Sequence, residues 1–276
     1  MRFLSGRGIT LNHTFLDDED VLNPASVSVT VYAADDTSVH EDAATDTDGV
    51  WSITVPMQAQ GIYRVKWDGG AVAVDTEYIE VVGGYLFSIP EARASDSELV
   101  DTTDYPAAEI KGYREVIETE FQTVTGRSFT PRTARVSLET DGTDVVWTGL
   151  LDCGALVALS GPDGALTVTD YHLDSSGLLS GLEGFAEGTR LTAVIDYGLR
   201  VVPEDIKRAA FVRLQYLLAA ESSGIPDRAT SYVAAEGGTF TLATPGRNGY
   251  KIGIPEVDAV LNLYSYNVLA SVLAVG

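Results

Sequence analysis

A single cysteine, Cys153, stands in a chain of 276 residues. No intrachain disulfide can therefore hold the fold. Histidine is almost as scarce: His13, His40 and His172 share no ligand spacing, which argues against a zinc cluster. Basic residues number 18 against 40 acidic ones, for a net charge of −22. A surface this acidic repels phosphate and excludes a nucleic-acid-gripping role. It suits a very soluble protein, or one lining a path that a polyanion passes without sticking. Long apolar runs are also missing, and none reaches the ~18 residues of a membrane span. The opening Met1-Arg-Phe-Leu-Ser-Gly-Arg7 lacks the apolar centre of a signal peptide, so the expectation is a soluble protein made in a cytosol. No Walker A, G-x-S-x-G or H-E-x-x-H motif occurs.

What the chain does have is apolar content, 45% of its residues, enough for proper cores. Its length suggests one large or two medium domains. Residues 1–82 read as all-β. Ser26-Val-Ser-Val-Thr-Val-Tyr32, Trp51-Ser-Ile-Thr-Val55 and Ile62-Tyr-Arg-Val-Lys-Trp67 alternate, and Thr76–Val82 is a last strand. Asp48-Gly49 and Asp68-Gly-Gly70 supply hairpin turns, because Asp and Gly tolerate positive φ. Short strands at this spacing predict a small β-sandwich of immunoglobulin-like type. This part carries 4 basic and 14 acidic residues and the remainder 14 and 26, so charge marks no boundary.

Gly83-Gly84 is the expected hinge, and 83–103 the expected linker with at most a short helix. A second domain is expected over 104–276. Its first helix, about 105–125, opens at Asp104-Tyr-Pro106 with Asp104 as N-cap. Ile110, Tyr113, Ile117, Phe121 and Val124 form one apolar stripe, and Gly126 stops the helix. A β-rich insertion over about 129–200 follows. Its strands are Ala134–Leu138, Asp144–Thr148, Leu156–Leu159, Leu166–Asp170 and Leu191–Tyr197, with turns at Asp141-Gly142, Pro162-Asp-Gly164 and Gly181–Gly188. The next helix, about 203–221, has Pro203 in its first turn and Glu204-Asp205 at its positive end. Ile206, Ala210, Leu214, Leu217 and Leu218 make one apolar face. Ala209, Phe211, Val212, Tyr216, Ala219 and Ala220 spread apolar character around the cylinder. Such a helix wants cover from more than one direction, either from its own domain or from a second copy. Thr230–Leu242 is Gly-rich with room for a strand. A short helix is predicted over 255–263, and the apolar end Val268–Val275 is expected to dock on something.

Few clusters point to chemistry. Asp17-Asp-Glu-Asp20 and Asp46-Thr-Asp-Gly49 have calcium-loop character, but the distal glutamate of an EF-hand is missing. The first reads as a solvated loop between strands and the second as a β-turn. Glu204-Asp205 is explained by the helix end. Cys153, within Leu150–Leu159, reads as a small buried hydrophobe. Tyr63, Trp67 and Tyr78 offer an aromatic row for a sugar, although alternate strand positions more often fill a core. Arg127, Arg132 and Arg135 form a basic cluster in an acidic background. It reads either as a contact patch for an acidic partner or for DNA in a channel, or as salt bridging within the domain. No catalytic, metal or cofactor residue is expected, and no enzyme.

Three stretches, taken in order, carry a resemblance. Glu115 to Arg132 runs Glu-Val-Ile-Glu-Thr-Glu-Phe-Gln-Thr-Val-Thr-Gly-Arg-Ser-Phe-Thr-Pro-Arg. Val194 to Ala210 is a strand, Tyr-Gly, and a Pro-initiated helix. Gly253-Ile-Pro-Glu-Val-Asp-Ala-Val-Leu-Asn262 closes the domain. Together they resemble head-to-tail connector (adaptor) proteins of long-tailed bacteriophages that infect actinobacteria, over about residues 85–266. The chain departs from that pattern in its expanded β-rich middle and its N-terminal immunoglobulin-like module. The resemblance implies a multi-domain α+β protein whose second domain is a helical-bundle connector. It implies a ring, a dodecamer, beneath the portal, joining capsid to tail and extending the DNA channel. Implied partners are further copies, the portal protein and a tail-side stopper or tail-completion protein. Double-stranded DNA passes without specific binding, and no membrane is involved. The implied place is the head-tail junction of the virion, assembled in the host cytoplasm. The implied portal or ring interface is Phe211, Leu214, Leu218, Ile254, Pro255, Val257, Leu261, Tyr264, Leu269 and Leu273. The competing reading is a surface carbohydrate- or protein-binding β-sandwich module attached to a second domain.

Overall fold

The computed structural model describes residues 2–56, 58–181, 184–223, 231–233, 239–241 and 251–265. Its class is mixed α+β. The chain forms two compact units, Met1–Gly84 with Pro131–Gly198 and Tyr85–Thr130 with Leu199–Gly276. This grouping differs from the linear division expected at 82 and 103. The strand-rich middle joins the N-terminal strands, and the stretch expected as a linker instead belongs to the helical unit. Leu86, Phe87, Ala92 and Leu99 explain the latter, since all four are buried in that unit's core. Their irregular spacing shows no period, so periodicity could not reveal them.

Ten strands open the first unit: β1 (Arg2–Leu4), β2 (Ile9–His13), β3 (Phe15–Asp17), β4 (Asp20–Leu22), β5 (Ser28–Tyr32), β6 (Ser38–Ala43), β7 (Thr45–Thr47), β8 (Val50–Val55), β9 (Gly61–Asp68) and β10 (Val74–Val82). One sheet runs β1-β10-β9-β5-β6, a second β2-β8-β7, and β3-β4 stand as a separate ribbon. Only the β1 pairing with β10 is parallel among them. Successive side chains on a strand face opposite ways. Val29 and Val31, Tyr63, Val65 and Trp67, and Ile79 and Val81 therefore all point inward from the first sheet. Ile9, Leu11, Trp51, Ile53 and Val55 meet them from the second. The Asp48-Gly49 turn forms as expected, with φ of 52° and 82°. Strands β6 and β7 are almost wholly exposed and polar, which is why alternation did not mark them.

The same unit continues with β11 (Arg132–Glu139), β12 (Val145–Trp147), β13 (Cys153–Gly161), β14 (Gly164–Leu166), β15 (Tyr171–Leu173), β16 (Leu178–Gly181) and β17 (Arg190–Tyr197). They form sheets β11-β17-β13-β14 and β12-β16-β15 over a core that includes Leu138, Leu159, Leu179 and Ile195. The strand expected over 166–170 ends at Leu166, and Val168–Asp170 is a 3-10 turn. Cys153 is half-buried rather than buried, and burial pushes its thiol pKa up. Glu80 ties the two parts of the unit together. Its carboxylate accepts from Arg132 Nε and Nη2 at 2.6 and 2.7 Å and from Arg2 Nε at 3.1 Å.

The second unit holds α1 (Ile89–Ser95), α2 (Ala107–Thr125), α3 (Glu204–Ser223) and α4 (Pro255–Tyr264). Ser88 and Glu91 form a reciprocal capping box at α1, satisfying two of its orphan N–H groups. Asp104 does not cap α2. The N-cap is Pro106, with no side-chain cap, and Asp101 accepts from the Thr103 and Asp104 backbone N–H groups instead. Gly126 ends α2 in the left-handed region at φ 75°, donating to Gln122 O, as its position predicted. Between α3 and α4 the described residues include a strand pair, Ser231–Val233 with Thr239–Thr241, inside the Gly-rich stretch.

Candidate assembly surface

The helical unit is built around α3. Ile206, Ala209, Ala210, Leu214 and Leu218 are buried against Ile110, Ile117 and Phe121 of α2 and Val257 and Leu261 of α4. Phe211, Val212 and Leu217 are half-buried on the same core. Phe211 lies 5.1 Å from the Phe87 ring, centroid to centroid. Most of the apolar face of this helix is thus covered by its own unit. Tyr216 and Ala219 stay exposed. Arg213, itself buried, donates to both carboxylate oxygens of Glu120 at 2.8 and 2.9 Å, which fixes α3 against α2. A bidentate pair of this kind sets orientation as well as energy.

The segment before α4 is held by one carboxylate. Asp258, 2% exposed, accepts from the backbone N–H groups of Lys251 at 3.1 Å, Ile252 at 2.8 Å and Gly253 at 3.0 Å. Three consecutive donors curl around one anion, as in other backbone nests. Tyr264, at the other end of α4, donates to Asp205 at 2.9 Å and sits edge-on to Phe129 at 5.4 Å. Burial and the nearby Asp205 carboxylate push the Tyr264 phenol pKa up. The backbone of Leu199 donates to Ser128 O at 3.1 Å. Parts of all three resemblance stretches, 115–130, 199–210 and 253–262, therefore meet in one core.

The expected interface residues fall into three groups. Leu214, Leu218, Ile254, Val257 and Leu261 are buried in the unit's own core, so their side chains already have cover. Phe211 and Tyr264 are half-buried and Pro255 is exposed. Leu269 and Leu273 lie outside the described residues. Open apolar surface stands instead at Val201, Tyr216 and Leu263, the last 79% exposed. Sequence reasoning named Tyr216 only as part of the helix's all-round apolar character, and passed over Val201, Leu263 and Asp258. A residue at the edge of an apolar stripe looks no different from one within it until the packing partners are known.

The three arginines fall in different units. Arg127 belongs to the helical unit, while Arg132 and Arg135 belong to the strand-rich one. Arg132 is committed to Glu80, whereas Arg135 is exposed. The aromatic row is split as well. Tyr63 and Trp67 are buried, and Tyr78, which pairs with Arg64, faces out at 66% exposure. Both acidic loops are turns: Asp18 and Asp48 take positive φ, and Asp46 accepts from Gly49 N–H at 2.9 Å. No group of residues suited to a metal occurs among the described residues, and no described helix is long and apolar enough to cross a membrane.

No family model matches the chain, and no curated protein does. Among solved structures, one likeness is to the neck of an empty GTA particle computed with C6 symmetry. It has 14% identity and a TM-score of 0.43, and covers 66% of this chain and 91% of that one. Another is to trypsin-activated alpha-2-macroglobulin from Escherichia coli, with 11% identity, a TM-score of 0.28, and coverage of 70% and 13%. A third is to the BSP domain of a biofilm-associated protein, with 13% identity, a TM-score of 0.23, and coverage of 72% and 29%. These scores are too low to establish a shared fold.

Proposed function

We propose that this chain is a structural, non-catalytic virion protein. In this reading it forms an oligomeric ring beneath the portal, joins capsid to tail and extends the DNA channel. The observation that carries the reading is the convergence of the three resemblance stretches. They are far apart in sequence, yet the hydrogen bonds Leu199–Ser128 and Tyr264–Asp205 and the Phe129–Tyr264 ring contact draw them around one core. A set of matched stretches that assembles into one working unit is better support than the same stretches scattered.

The helices then form the connector bundle, and the N-terminal strands an immunoglobulin-like module attached to it. Portal and neighbour contacts fall on the open apolar surface at Val201, Tyr216, Pro255 and Leu263, with the end of the chain beyond Ser265. The −22 charge supports a wall to which DNA does not adhere, since like charges repel. The test is to purify the full chain, image it alone and with its portal protein, and add duplex DNA at moderate salt. The expected result is a closed ring that co-assembles with the portal and retains no DNA. A chain that stays monomeric and ignores the portal under all assembly conditions would overturn the reading.

A further inference from the structure

The N-terminal strands carry two complementary surfaces toward opposite ends of the β2–β8 pair. The first is a cleft of about 80 Å³ lined by Ala33, Ala34, Asp36, Ile62, Arg64, Tyr78 and Arg135. Arg64 is pre-set in it. Its guanidinium donates to Asp36 at 2.9 Å and lies over the Tyr32 ring at 4.1 Å. Arg135 is exposed and forms no ion pair among the described residues; one nitrogen approaches Ala34 O at 3.5 Å. Asp36 already pairs with Arg64, so in a chain of net charge −22 the exposed Arg135, beside that pair and an open tyrosine ring, is the cation left to receive a carboxylate. A cleft of this size has room for a carboxylate.

The second surface is an acidic knob. The β3–β4 ribbon ends in Asp17-Asp-Glu-Asp20, all four exposed, and carries Leu16 and Val21 open to solvent at 58% and 56%. Val21 approaches Gly49, which brings the Asp46–Gly49 turn and the exposed Val50 alongside. Strand register sets the separation. Strand β2 pairs Ile9 with Val55 and His13 with Trp51, so the knob follows the Trp51 end. The cleft sits where β5 finishes and β9 starts, with Tyr32 opposite Arg64. Strand β1 ends opposite Val82, beside Gly61, and four residues later β2 begins at Ile9. Cleft and knob are thus separated by the length of β8, roughly 20 Å at 3.3 Å per residue.

We infer that the knob of one copy seats in the cleft of the next, with a carboxylate of the 17–20 turn on Arg135, beside the Arg64–Asp36 pair, and Leu16 or Val21 against Tyr78 and Ile62. Copies of net charge −22 repel one another, so a contact that places a carboxylate on an exposed cation such as Arg135 offsets part of that repulsion and adds to any apolar contact elsewhere. Two different surfaces on each copy give a heterologous, head-to-tail contact, which closes into a ring when the rotation permits. The inference deepens the ring reading above and rests on it.

The test is sedimentation velocity on the full chain over a concentration series. The variants are Arg135→Glu, Glu19→Lys, the two combined, and Tyr78→Ser, each checked for an unchanged thermal unfolding midpoint. Each single change should raise the concentration for half-assembly about ten-fold or more. The charge-swapped combination should recover most of that loss. Tyr78→Ser, at an exposed position, reads the same contact should Arg135→Glu misfold. Rings that assemble normally in the folded single variants, or a combination that recovers nothing, would overturn the inference and leave the ring reading standing. A wild-type chain that never assembles overturns both.

Discussion

Removing the Asp258 carboxylate is expected to loosen the turn that sets α4. In Asp258→Ala, three backbone N–H groups lose their acceptor. A hydrogen bond to a charged group contributes about 1.5–3 kcal/mol. Lys251 is exposed and Gly253 half-buried, so water replaces the carboxylate there at small cost. Ile252 is buried, and its N–H is left unpaired. Relief of the carboxylate's own desolvation offsets part of the loss, leaving a net destabilisation of about 2–3 kcal/mol. For a unit of this size that is a fall of roughly 10 °C in the unfolding midpoint. Asp258→Asn keeps one acceptor oxygen but points an amide N–H₂ at a backbone donor, so its loss should be about half as large. Differential scanning calorimetry of the full chain, following the transition of the helical unit, reads both. If Asp258→Ala stays within about 0.5 kcal/mol of wild type, the three-donor cradle does not hold the segment and the reasoning fails.

Two further outcomes follow from the charge pairs. The Ser88 backbone N–H, then Lys207, lower the Glu91 carboxyl from 4.5 to about 2. A depressed carboxylate adds stability that is present above about pH 4.5 and is lost as pH falls through about 2. Because the Glu91 side chain is 45% exposed, solvent screening reduces this to about 1 kcal/mol. Urea unfolding should therefore separate wild type from Glu91→Gln by that amount at pH 6, and the gap should close near pH 2; an equal gap at both pH values would refute the linkage. Glu80→Ala leaves Arg2 and Arg132, both largely buried, without their shared carboxylate, and should cost about 3 kcal/mol in thermal unfolding of the strand-rich unit. Glu80→Gln, which retains an acceptor but not the charge, should cost less than Glu80→Ala yet still destabilise; a Glu80→Gln as stable as wild type would show that the charge is not what binds the two guanidiniums.

The sequence alone determined the elements whose signals are local. Strands β5, β8, β9 and β11 alternate because one face of each is buried, and α2 shows its stripe because Ile110, Ile117 and Phe121 lie on one side of a cylinder. Gly126 stops α2 because the left-handed cap disfavours a side chain, a requirement written in one residue. Tertiary structure decided the rest. It put Tyr78 outside and Trp67 inside, through a register that pairs Tyr78 with Arg64. It joined Glu80 to Arg132 and drew residues 85–100 into the helical core, and it closed Asp258 on Lys251–Gly253. It also covered Leu214, Val257 and Leu261 within their own unit, moving the open surface to Tyr216 and Leu263. Local patterns record what a residue needs from its immediate neighbours. Which distant segment supplies the opposite charge or the covering side chain has no period along the chain, and only packing in three dimensions selects it.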